Sequence, residues 1–293
     1  MTQAAPTISV VLPTRNGAKT IARQLEALAR QSYEEPWELL VADNGSTDET
    51  RQVAERFRGR IPRLRFVDAA GKAGIPHACN VAFDAARSDF LAICNDDDEV
   101  DEGWLAAIRR ALSEHDIVAG RLEHDRLNEA WVIAVRGRPQ EDRLLHWNFG
   151  THLPFGGGAT LGVCRPLHER IGGFDEAMTP AGEDMDYCWR AQYAGAELRF
   201  APEAVTHYAF RHRLGDIFGQ GRSYGKGNVL VYRKHRPLGL PPVRWQTAIP
   251  AWLEIVGNGL LAFDKVRRGR FLWYLGWRIG MLEYSLKYRT LLL

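Results

Sequence analysis

Three consecutive aspartates, Asp96, Asp97 and Asp98, follow directly on the apolar run FLAIC at residues 90–94. Adjacent carboxylates ionise together cheaply only where water or a cation offsets their repulsion. Oxygen ligands of this kind suit Mg2+ or Mn2+, and Mg2+ takes one or two carboxylates and fills its shell with substrate phosphates. A solvated acidic turn capping the next helix explains the triplet alone equally well; its place at a strand end favours a functional site. A second acidic group, Glu183, Asp184 and Asp186, opens the stretch EDMDYCWRA. The dipole of a helix N-terminus would stabilise it.

The elements that position these groups alternate. Ile8–Leu12, Glu38–Ala42, Leu64–Val67, Phe90–Cys94 and Ile117–Ala119 are short apolar runs read as strands. Between them Ile21, Leu25 and Leu28 recur at helical spacing, a helix capped by Ser46 or Thr47 runs to about Arg58, Pro76 starts one through Arg87, and Trp104–Leu112 forms another. Strand–helix alternation predicts an α/β fold: a Rossmann-like, mostly parallel twisted sheet flanked by helices. Such sheets bind ligands beyond the carboxyl ends of their strands. Thr14-Arg15-Asn16, Asp43-Asn44 and Asn95–Asp98 each sit at such an end, so three distant polar clusters are expected at one sheet edge.

Among 293 residues, 45% hydrophobic and 25% charged, the composition is that of a folded chain, and a net charge of +2 argues against a nucleic-acid partner. Cys79, Cys94, Cys164 and Cys188 form no C-x-x-C pair and read as reduced core residues, which fits a cytoplasmic protein. The N-terminus lacks the pattern of a cleavable signal, and the most apolar stretch, Trp245–Phe263, is too interrupted to span a membrane. Residues 121–210 are less regular. From Arg211 the chain turns basic and aromatic, with Asp216 the single acid up to Arg244, and a boundary is expected there. That basic stretch, including His212, Arg213, Arg222, Lys226, Arg233 and Lys234, suits a pyrophosphate, a phosphorylated acceptor or anionic lipid heads, or is a solvated face. Residues 271–289 suggest a basic amphipathic helix that either lies at the inner face of the cell membrane or packs on the rest of the chain or a second copy.

The segments ISVVLPTRN, VADNGSTDET, NVAFDAARSDFLAICNDDDEVDEGWL, GGFDE, GEDMDYCWRA and APEAVTHY resemble, in order and spacing, the inverting family-two glycosyltransferases of GT-A fold. The likeness spans about residues 7–210. It implies a nucleotide-sugar-binding catalytic region at 1–210 and a helical extension at 211–293. It also implies a nucleoside-diphosphate sugar donor of UDP or dTDP type and an acceptor whose identity the sequence leaves open. Pro13, Thr14, Asn16 and Asp43 would then meet the nucleoside, and Lys72 and Asn80 the donor. Alignment on Gly103-Trp104-Leu105 places Asn95, Asp96 and Asp97 on the family's D-x-D signature, with Asn95 departing from the commoner Asp. Asp97 becomes the metal ligand, with Asp96 beside it and His207 completing the shell around Mn2+ or Mg2+. The resemblance puts the general base in the Glu183-Asp184 pair; Asp184 is chosen, with Glu183 and Asp186 as substitutes. The function implied is inverting, metal-dependent transfer of a sugar to an acceptor hydroxyl. A nucleotidyltransferase would want a glycine-rich phosphate loop where this chain has PTRNGAKT, and a non-catalytic sugar-nucleotide binder is the remaining alternative.

Overall fold

The computed structural model describes residues 5–61, 63–243, 248–260 and 263–292. Its centre is an eight-stranded mixed sheet in the order β3-β2-β1-β4-β7-β6-β8-β5. The strands are β1 (Ile8–Thr14), β2 (Trp37–Asp43), β3 (Leu64–Asp68), β4 (Phe90–Cys94), β5 (Glu99–Val100), β6 (Ile117–Glu123), β7 (Thr160–Cys164) and β8 (Leu198–His207). β1, β2, β3 and β4 run parallel, as expected of the alternating first half; β7 runs antiparallel to both β4 and β6. β6 and β8 are parallel, and the short β5 closes the edge antiparallel to β8.

Strand side chains alternate between the two faces, so each apolar run feeds two cores. Val10, Leu12, Leu39 and Val41 join the cluster with Ile21, Leu25 and Leu28 of α1 (Ile21–Ala29), whereas Val11, Leu40 and Ala42 join the one with α3 (Ile75–Ala85). Pro76 sits in the first turn of α3, where its missing N–H costs nothing. The helix expected to run from Ser46 or Thr47 to Arg58 is instead α2, Thr50–Glu55. Neither residue caps it. Asp48 accepts the Thr50 N–H at 3.0 Å, and Thr47 donates its own N–H to Asn16 Oδ1 at 2.8 Å. α4 (Trp104–Ala111) forms where a helix is expected, and the less regular middle section supplies α5 (Ala130–Arg136), α6 (Arg165–Arg170) and α7 (Glu183–Tyr193), together with β7 and β8.

The C-terminal part is helical: α8 (Leu214–His235), α9 (Ala248–Leu260) and α10 (Lys265–Tyr288). Arg244 and Trp245 of the basic and aromatic stretch lie outside the described residues. α10 packs on α8 with almost no side-chain thickness between them. A Cβ on Gly221 or Gly225 would run into the carbonyls of Trp273 and Trp277, and one on Gly276 or Gly280 into those of Phe218 and Arg222. Glycines four apart on both helices therefore let the backbones meet. Val229, Val231, Tyr232 and Met281 bury themselves in the same cluster as Leu40, Ile93 and Leu161, so sheet and extension share one core. On its outer side α9 leaves Ile249, Trp252, Leu253 and Val256 exposed. No helix among the described residues is long and apolar enough to cross a membrane. All four cysteines are free thiols, with Cys79, Cys94 and Cys188 buried.

The junction between α7 and α8 is ionic. Asp186, fully buried, accepts from Arg190 Nε at 2.8 Å, Lys234 Nζ at 2.6 Å and His235 Nε2 at 2.9 Å. Burial alone would raise the acid, but these partners outweigh it and hold it at about 2. Lys234 also reaches Asp175 in the GGFDE turn at 2.6 Å. Removing the anion strands buried cations, so Asp186→Ala should cost about 3–5 kcal/mol. Gly280→Val, which forces α8 and α10 apart, should cost about 1–3 kcal/mol. Denaturant unfolding of both variants measures the two losses.

Candidate active site

The three strand ends meet as their spacing predicts. Thr14, the last residue of β1, donates its hydroxyl to Asp96 Oδ2 at 2.5 Å, joining β1 to the acidic cluster after β4. Gly17 is packed against the same pair: a Cβ there would overlap Asp96 and Thr14. Asn16, at φ 55°, binds Thr47 N–H through Oδ1 and gives its own N–H to Ser46 Oγ at 3.0 Å. Asp43 closes the turn after β2 by accepting Ser46 N–H at 2.8 Å. Pro13 is buried within β1, paired with Ala42.

The three aspartates separate into different environments. Asp98 is fully buried; it accepts Ala209 N–H at 2.8 Å and the Asn95 amide at 3.1 Å, so Asn95 and Asp98 brace the loop against the end of β8. Burial, then the charge of Asp97, pushes Asp98 well above the usual carboxylate range. Burial raises Asp96 to about 6, with Thr14 opposing and Asp97 adding to the rise. Asp97 pairs with Arg211 Nη2 at 2.8 Å, while Arg23 donates to its backbone carbonyl. Two guanidinia, Arg211 and Arg23, face three carboxylates, which leaves the cluster short of positive charge, and Asp96 and Asp97 offer the hard oxygens a divalent cation takes. They fit such an ion. His207 does not join them in this structure: Nδ1 lies 2.6 Å from Glu123 Oε2, and Nε2 lies 3.2 Å from Arg126 Nη1. Among the described residues no three metal-ligating side chains converge.

Lys72 and Asn80 gather on the GGFDE turn. Glu176 takes Lys72 Nζ at 2.9 Å and His77 Nδ1 at 2.9 Å, which hold it at about 2. Asn80 spends both ends of its amide on the Phe174 backbone, at 2.8 and 2.9 Å. Asn44, which reads from sequence as a turn former, fastens the loop carrying Lys72 through Ala69 O, Lys72 O and Gly74 N.

Glu183 and Asp184 open α7. Burial raises both: Glu183 to about 8, with Asp184 adding to the rise, and Asp184 in the same direction. Asp184 Oδ2 accepts the Gly158 N–H at 3.3 Å, and the neighbouring Gly157 N–H is held by Gln140 at 2.7 Å. The Gly156–Gly158 loop is thus anchored to β6 and α7 rather than free. Asp186 is committed to its cations, which removes it as a substitute base.

Two tyrosines that sequence reading passed over feel the acidic centres. Tyr208 is raised by Tyr224 and burial and feels the charges of Asp98 and Asp97. Tyr224, edge-on to Trp273 at 5.5 Å at the partly open wall of the site, is raised by its packed surroundings and feels Asp184 and Glu183. Tyr208 follows His207 directly, but nothing in the sequence pairs it with a tyrosine of α8. Arg211 was visible only as part of the basic stretch; the fold assigns it to Asp97. Arg222 and Lys226 of the same stretch are taken by Glu283 of α10, at 2.6 and 3.1 Å.

A sequence profile described as Glycosyl transferase family 2 matches residues 9–170, and one described as Glycosyl transferase family group 2 matches residues 93–292. The chain is 27% identical over 268 residues to a pre-mycofactocin glycosyltransferase of Mycobacterium tuberculosis, covering 86% of this chain and 53% of the relative. The chain therefore spans about half the length of that relative. It is 25% identical to the glycosyltransferase AglE of Haloferax volcanii over 80% of this chain and 77% of AglE. The solved mannosyltransferase PcManGT of Pyrobaculum calidifontis, in complex with GDP-Man and Mn2+, superposes with a TM-score of 0.67 at 18% identity, covering 97% and 88% of the two chains. S. aureus TarS 1–349 in complex with UDP gives 0.52 at 18%, covering 96% and 92%. At such identities these structures attest the GT-A fold. With the first profile covering more than half of its length, the chain belongs to glycosyl transferase family 2.

Proposed function

We propose that the chain transfers a sugar from a nucleoside-diphosphate sugar to an acceptor hydroxyl with inversion at the anomeric carbon. The observation that carries this reading is the opposition of two carboxylate centres. One, at Asp96 and Asp97, is short of cations; the other, at Glu183 and Asp184, is held by burial in a readily protonated state. Tyr208 feels the first centre and Tyr224 the second.

The donor's nucleoside lies along the ends of β1 and β2, against Pro13, Thr14, Asn16 and Asp43, with its diphosphate toward Asp97. Asp97, with Asp96 beside it, would hold Mn2+ or Mg2+. A divalent ion there offsets the charge that gathers on the leaving diphosphate. Asp184 takes the proton of the acceptor hydroxyl as that oxygen attacks the anomeric carbon from the face opposite the leaving group. Gly158 N–H and Met185 N–H fix its two oxygens. Because one glycine in PTRNGAKT is spent packing on Asp96, the loop after β1 offers no cradle of the kind a nucleotidyltransferase uses.

Thermal shift across UDP-, dTDP- and GDP-sugars with Mn2+ should identify a stabilising donor. Asp97→Ala should abolish the Mn2+ dependence of that shift, whereas Asp184→Asn should keep it and lose transfer by a factor of about 100 or more. Wild-type turnover in both variants would refute these roles. Turnover should fall on acidification with a midpoint above the ordinary carboxylate range, since burial makes the Glu183–Asp184 pair hold its proton; a pH–rate profile checks this. Glu183, at about 8 when folded against 4.5 for a free glutamate, costs the fold stability as pH rises between those values, because only the unfolded chain ionises there. Glu183→Gln should therefore gain melting temperature over wild type at pH 8 and not at pH 4.

A further inference from the structure

Arg136, the last residue of α5, is a half-buried cation whose partners are all neutral. Its guanidinium lies 3.5 Å over the Trp273 ring, with Phe210 at 5.1 Å and Tyr224 at 5.8 Å. It donates to Gln220 Oε1. Its desolvation lowers its pKa. Other arginines around the site have carboxylates: Arg126 has Glu99, Arg211 has Asp97 and Arg222 has Glu283. Among the described residues none forms an ion pair with Arg136.

A desolvated cation without a counter-charge is costly, and stacking on aromatic rings recovers part of that cost. The stacking also fixes the plane of the guanidinium, whose fork matches a two-oxygen anion. Gly227 of α8 packs on Ala181 and Gly182, just ahead of Glu183 and Asp184, and Tyr224 lies one turn earlier on α8 with its ring 5.8 Å from the guanidinium. Arg136 thus sits beside the helix that meets the candidate base, while Phe210, 5.1 Å away, directly precedes Arg211, the partner of Asp97. Arg136 is half-buried and Tyr224 is 39% exposed, so the group keeps surface for a ligand.

We propose that Arg136, framed by Trp273 and Tyr224, binds an oxyanion carried by the acceptor, a phosphate or a carboxylate near the hydroxyl that receives the sugar. The proposal rests on the transfer reading above. The aromatic frame favours an acceptor with a ring or apolar part beside its charge.

The test uses phenyl phosphate, benzoate and neutral benzyl alcohol as probes, titrated by calorimetry into full-length protein saturated with whichever of UDP or GDP raises its melting temperature. One of the two anions should bind wild type at least about tenfold tighter than benzyl alcohol. Arg136→Met should lose about tenfold of that affinity and keep its response to nucleotide. The stronger anion identifies the phosphate or the carboxylate as the acceptor's group. Equal anion affinity in Arg136→Met, or no anion binding by a wild type that responds to nucleotide, overturns the proposal. A wild type that responds to no nucleotide overturns the donor reading, and the acceptor site falls with it. If Arg136→Met does not fold, Arg136→Lys is compared in its place. It keeps the charge but not the fork, so a loss of severalfold supports the site and unchanged affinity overturns it.

Discussion

Asp186 carries a negative charge in a place where water cannot reach it, and the C-terminal third of the chain is arranged around that fact. Arg190, one turn along the same helix, supplies one cation and Lys234 at the far end of α8 another, and His235 beside it adds a hydrogen bond. An ionised carboxylate in the interior persists only with such partners. Because Asp184 is two residues away, the ion cluster that anchors α8 also fixes the start of α7. α8 in turn meets the chain just before the candidate base, where Gly227 packs on Ala181 and Gly182. The C-terminal helices are in this sense part of the site's construction.

The helix pair α8 and α10 shows a second constraint of the same kind. Glycines on both helices remove the side-chain layer, and Glu283 draws Arg222 and Lys226 across the joint. Four cations of this stretch, Arg211, Arg222, Lys226 and Lys234, are neutralised internally. Arg136, across on α5, is held by rings and an amide instead of an acid.

At the sheet edge, the loops are fastened to one another before any ligand arrives. Thr14 grips Asp96, Asn16 grips the Ser46-Thr47 turn, Asn44 grips the loop of Lys72, and Asp98 with Asn95 grips the end of β8. Asp96 and Asp97 are left with oxygens near solvent and a deficit of positive charge. Preorganisation of this sort lets a diphosphate and its cation bind without reordering the loops.

The sequence by itself determined the alternating first half, because strand and helix periods are local and their apolar residues repeat at two and at 3.6. It also determined that Thr14, Asn16, Asp43 and Asn95–Asp98 share one edge, since parallel strands put their carboxyl ends together. Helix α2 escaped it, because Asp48 and Asn16 compete for the N–H groups that a Ser46 or Thr47 cap would take. Only the tertiary structure decided which member of each acidic cluster is available. Asp98 and Asp186 look like Asp97 and Asp184 on paper. Contacts 111 residues away at Ala209 and 49 residues away at His235 make two of the four structural. The same holds for His207, whose ring is taken by Glu123 and Arg126, and for the Tyr208–Tyr224 pair. Such assignments depend on which chain segments meet, and no local period encodes that.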